Sequence, residues 1–94
     1  MDDIKIIKEK ILEFIMQYRD KKISGLKLSD LIDTYYLDEI NDTLMENNFV
    51  KKLDLLRDQL SYYEPNKILR KESKYYFNED KLNKIINEFL EENY

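Results

Sequence analysis

Ile4, Ile7, Ile11, Phe14 and Tyr18 recur at spacings of three, four, three and four, and Leu12 and Ile15 widen the stripe. That rhythm is one face of an α-helix. Asp2 and Asp3 stand at its electropositive start and Arg19, Lys21 and Lys22 at its electronegative end, as the helix dipole favours. Ser24-Gly25 then breaks the pattern, placing the chain's one glycine where it must turn. At the other end, Leu82, Ile85, Ile86, Phe89 and Leu90 form a second stripe, introduced by Asn78 as cap with Glu79 and Asp80 in the first turn. Glu91 and Glu92 oppose that helix's dipole, so its last turn is expected to fray.

Between these two helices the pattern is less regular. Leu26-Lys27-Leu28 alternates and predicts a very short strand. Ser29 is a cap for a second helix with Leu31, Ile32 and Tyr35 inward. Asp38 is a cap for a third, with Ile40, Leu44 and Met45 toward the core and Asn47-Asn48 closing it. Phe49-Val50 is expected to leave extended. Leu53, Leu56, Leu60 and Tyr63 have helical spacing, but Leu53 and Leu55 also alternate; residues 51–63 favour a helix, with strand left open. Pro65-Asn66 marks a turn. Ile68-Leu69 and Tyr75-Tyr76-Phe77 are β-prone runs flanking Arg70 to Lys74, the pattern of a small hairpin.

This order of helix, short strand, helix, helix, hairpin and helix resembles the winged-helix domain. The best local match is Leu44-Met45-Glu46-Asn47-Asn48-Phe49-Val50, which looks like a third helix running into a first wing strand. Tyr75-Tyr76-Phe77-Asn78 looks like the second wing strand leading into the last helix. The resemblance implies a single domain over residues 1–94, mainly α with a small β-hairpin. It would have about five helices, with the N- and C-terminal helices packed together. Two departures stand out. Val50 to Phe77 is longer than a wing needs. The helix that enters the DNA major groove in that family here carries Asp38, Glu39, Asp42 and Glu46 and no cation.

Composition narrows the chemistry. The 94 residues contain no cysteine and no histidine, which removes disulfides, thiolate metal sites and the commonest general base and metal ligand. Nucleophile candidates Ser24, Ser29, Ser61 and Ser73 have no histidine to activate them, so the expectation is a non-enzyme with no cofactor, no metal and no small-molecule substrate. A 43% hydrophobic content with eight Tyr and four Phe opposes disorder. The acidic start Met1-Asp2-Asp3-Ile4 has no secretory pattern and no apolar run is long enough to span a membrane, so a cytoplasmic location is expected. The lack of alanine beside abundant Ile, Lys, Asn and Tyr reads as an AT-rich genome, a viral one among the candidates.

Charge supplies the functional candidates. Residues 28–46 hold six acids and no base, a net of −6, whereas residues 65–76 hold four bases against Glu72, a net of +3. On the expected third helix, Asp38, Asp42 and Glu46 fall at i, i+4 and i+8. With Glu39 they make an acidic face for a basic protein partner, the first reading: a small winged-helix-like regulatory or adaptor protein. The second reading is a DNA-binding regulator using the basic hairpin of Lys67, Arg70, Lys71 and Lys74 with Tyr75 alongside, cations neutralising phosphates and the ring stacking on bases. The third is a structural helical subunit of a larger assembly. Because so short a chain buries a small core, the stripe of Ile4, Ile7, Ile11, Phe14 and Tyr18 is also a candidate homodimer seam.

Overall fold

The computed structural model describes residues 3–94; Asp2, expected beside Asp3 at the first helix start, lies outside them. Four α-helices carry the chain: α1 (Asp3–Arg19), α2 (Gly25–Glu39), α3 (Asn48–Leu60) and α4 (Glu79–Asn93). Short 3-10 turns at Leu44–Glu46 and Leu69–Glu72 interrupt the two longer connections.

The α1 stripe folds as its spacing predicts, with Ile7, Ile11, Phe14, Ile15 and Tyr18 buried. Its end differs in one respect. The residue with positive φ is Lys21, at 62°. The Lys21 amide donates to the Tyr18 carbonyl and the Lys22 amide to that of Gln17. These paired bonds are a Schellman closure, usually completed by glycine. Gly25 serves another purpose: it opens α2 so close to its neighbours that a Cβ there would sit 2.6 Å from Leu82 Cδ2 and 2.7 Å from Tyr63 Cε2.

The middle of the chain departs from the expected boundaries. Leu26-Lys27-Leu28 is no strand but the first turn of α2, capped by the Ser24 hydroxyl, which accepts from the Lys27 amide. Ser29 therefore lies inside α2, its hydroxyl donating toward the Leu60 carbonyl at 3.5 Å. Leu28, Ile32 and Tyr36 form the buried face of α2. Asp38 does not open a helix, because α2 runs on to Glu39 and Ile40 then turns extended. Asn47 starts a helix where it was expected to end one. Its Oδ1 accepts from the Phe49 and Val50 amides at 2.8 and 3.3 Å. Phe49 and Val50 are therefore the first buried residues of α3, and the helical option for residues 51–63 holds as far as Leu60.

The expected hairpin is absent. No β-strand forms among the described residues, and the β-structure there is one isolated parallel bridge between Tyr63 and Phe77. Asn66 Oδ1 accepts from the Ile68 and Leu69 amides, bending that run into the 3-10 turn before it can extend. A winged helix needs its hairpin wing, so the resemblance to that family fails, and with it the five-helix count. The fold is an all-α arrangement of four helices.

Ile40, Phe77 and residues from all four helices close one interior in which every buried side chain of the described residues is aliphatic or aromatic. Rim contacts join α1 to α4 in opposite directions. The Tyr18 hydroxyl donates to Asn83 Oδ1 at 2.7 Å and lies 3.3 Å from Glu79 Oε1, and Arg19 hydrogen-bonds Asn87. At the other end the Tyr94 hydroxyl donates to the Lys8 carbonyl at 2.6 Å, and its ring stands 6.0 Å from that of Phe49. The helix continues through Glu91 and Glu92 to Asn93, where the Tyr94 amide donates to the Leu90 carbonyl.

Candidate interaction surfaces

Among the described residues the core side chains are aliphatic or aromatic, and one buried side-chain nitrogen, Arg57 Nη1, has no hydrogen-bond partner. No group of three or more metal-ligating side chains gathers among the described residues, and none of their helices is long and apolar enough to cross a membrane. Two phenols, the buried Tyr18 and the partly exposed Tyr94, have raised pKa values. Loss of hydration pushes Tyr18 up to about 12, helped by the charge and hydrogen bond of Glu79, and burial pushes Tyr94 to about 12 as well. The residues singled out by charge lie on the outside.

The acidic residues do not lie on one helix face. Asp38 and Glu39 end α2, Asp42 sits in the connection, and Glu46 belongs to the 3-10 turn. The i, i+4, i+8 spacing has no geometric meaning once the helix stops at Glu39. All four side chains are exposed, and Glu46 is within 3.8 Å of Lys51 Nζ. Two large apolar side chains stand beside them: Leu37, 65% exposed and not singled out by sequence, and Met45, expected toward the core but 40% exposed because the 3-10 turn replaces the expected helix. The signal for Leu37 was available, since it lies off the Leu28, Ile32, Tyr36 face by one residue, about 100° around the helix.

The basic residues gather on the α3–α4 connection, residues 61–78, which has its own framework. The Arg70 guanidinium donates to the carbonyls of Glu64 and Pro65, so this cation serves the loop. Ser73 Oγ accepts from the Tyr75 amide. The Phe77 amide donates to the Tyr62 carbonyl and the Glu64 amide to that of Phe77, pinning the two ends of the loop together. On that frame Lys67, Lys71 and Lys74 are exposed, and among the described residues none has a carboxylate within salt-bridge distance. Lys74 Nζ lies 5.3 Å from the Tyr75 ring centre, and that ring pairs with Tyr62 at 6.1 Å. Ile68 (74% exposed), Tyr75 (64%) and Leu69 stand out beside the lysines. The β-prone reading had placed the two aliphatics in a strand, which hid their exposure.

The third candidate lies inward. Ile7, Ile11, Phe14 and Tyr18 pack in the chain's own core, with Ile4 partly buried against it. No family model, no curated protein and no solved structure matches this chain.

Proposed function

We propose that the chain is a non-enzymatic protein-interaction module, a small regulatory or adaptor domain, whose working surfaces are the α2–α3 and α3–α4 connections. One observation carries this reading: the end of α2 with the connection that follows it, and the α3–α4 connection, each hold large apolar side chains in water among charges mostly of one sign. Leu37 and Met45 stand among Asp38, Glu39, Asp42 and Glu46; Ile68, Leu69 and Tyr75 stand among Lys67, Lys71 and Lys74. Apolar groups rimmed by charge suit a protein partner, which offers apolar surface to bury and opposite charge to steer the encounter. A phosphodiester chain has no use for exposed aliphatics. The nucleic-acid alternative keeps Lys67, Lys71, Lys74 and Tyr75, but Arg70 is committed to the loop's carbonyls and the chain as a whole carries −4.

The test uses two synthetic amphipathic peptides, one of Lys and Leu and one of Glu and Leu, with the full chain followed by backbone amide NMR. The Lys/Leu peptide is expected to shift signals in residues 37–46 and the Glu/Leu peptide those in 67–75. A non-specific DNA duplex at physiological salt is expected to shift neither. Micromolar or tighter duplex binding, abolished when Lys67, Lys71 and Lys74 are changed to Ala, would replace the protein reading with the nucleic-acid one.

A further inference from the structure

We infer that the partner of each connection is the other connection on a second copy of this chain, so that the protein associates head to tail with itself. The inference rests on the interaction-module reading and adds the identity of the partner.

The two surfaces are complementary in charge and alike in apolar content. Residues 37–46 carry −4, and the α3–α4 connection, residues 61–78, carries +2. They also lie at opposite ends of α3. The acidic connection stops where α3 begins at Asn48, and the basic connection starts where α3 ends at Leu60. Thirteen helical residues set them about 20 Å apart.

Each is tied to its own end of α3. The first is tied down by the Asn47 cap and the buried Ile40. The second is tied by the Tyr63–Phe77 bridge and the Arg70 clip. Opposite charges held at the two ends of one helix are placed to meet between chains. The contact joins two different patches, so it is heterologous and builds a ring or an open row of copies. The side chains that face across it are Asp38, Glu39 and Asp42 on one copy and Lys67, Lys71 and Lys74 on the next, with Leu37 and Met45 against Ile68, Leu69 and Tyr75. Glu46 and Arg70 already have partners at home.

Sedimentation velocity of the full chain over a wide concentration range tests this. The expected result is reversible association at about 0.01 M salt that is largely dispersed at about 1 M, where screening shrinks to about 3 Å. The loop variant Lys67→Glu, Lys71→Glu, Lys74→Glu and the end variant Asp38→Lys, Glu39→Lys, Asp42→Lys should each associate about tenfold or more weakly. An equimolar mixture of the two should associate again, because opposite charges then face each other at every contact. That recovery shows both variants folded. Asp38→Asn with Asp42→Asn supplies a milder pair with the same direction of effect.

A wild-type chain that stays monomeric at low salt, or association that both reversed variants retain, overturns the inference. If the monomer still responds to the two peptides, the interaction-module reading stands without the self-association. If it responds to neither, both fall.

Discussion

The eight residues between α2 and α3 take their shape from the helix that follows, whereas the eighteen between α3 and α4 carry their own framework. In the first, Asn47 caps α3 while Asn41 Oδ1 receives the Leu44 amide, and little else is needed. In the second, a buried Phe77, the Tyr63 ring beside it at 6.1 Å, the Arg70 clip and the Asn66 turn act together. A short reversal costs little chain entropy and can rely on helix ends. A longer one must have its own anchors to stay ordered. The lesson is that both connections are built structures, so the side chains they expose are held out.

The sharpest way to break this contrast is Phe77→Ala. Phe77 is only 8% exposed, so its loss should cost about 3–5 kcal/mol in urea unfolding. Leu44→Ala, at the half-buried anchor of the shorter connection, should cost only about 1 kcal/mol. Equal losses would show that the long connection has no anchor of its own.

Alkaline unfolding separates the two ends of the molecule. Tyr18 lies at the α3–α4 connection end and Tyr94 beside Phe49 at the other. Both have a folded-state pKa raised from 10 to about 12, so the folded chain holds protons that the unfolded chain releases. Their contribution is complete below pH 10 and is lost as pH rises from 10 to 12. Tyr18 should account for about 2 kcal/mol of that loss, and Tyr94, nearly half exposed, for less. Tyr18→Phe should flatten the decline measured by denaturant midpoint across this range. An unchanged slope would place the titration elsewhere.

The smallest effects compare two asparagine turns. Asn47→Ala should lower global stability by about 1 kcal/mol, as a helix cap does. Asn66→Ala should change it by about 0.5 kcal/mol or less while speeding amide exchange at Ile68 and Leu69. A global loss from Asn66→Ala equal to that from Asn47→Ala would mean that the long connection unfolds only with the whole chain.

The outer helices were readable because their apolar spacing is unambiguous and Asn78 is a cap in both the reading and the structure, its Oδ1 accepting from the Lys81 amide. The inner boundaries were not, for physical reasons. Asparagine suits both a helix's end, by tolerating positive φ, and its beginning, by its side-chain acceptor, so Asn47 was assigned to the wrong side. The decisive signal was the stripe Phe49, Leu53, Leu56, Leu60, whose period carries α3 back to the cap. In the same way Leu28, Ile32 and Tyr36 sit four apart and describe one uninterrupted α2. Local β-propensity points the wrong way at Ile68-Leu69 and Tyr75-Phe77, because strands need partners and the described residues provide a single bridge. The charge asymmetry was legible from the start. Its placement at two ends of α3 required the correct helix boundaries.

The oily interior has a further consequence. With only hydrocarbon and rings inside, the centre offers no hydrogen bond to fix the register of α1 on α4. The alignment of α1 on α4 is assigned to latches at the periphery: Tyr18 on Asn83, Arg19 on Asn87 and Tyr94 on Lys8. Removing all three should therefore leave helical content intact while near-ultraviolet dichroism fades and dye-binding surface emerges, a liquid-like globule in place of a single registered packing.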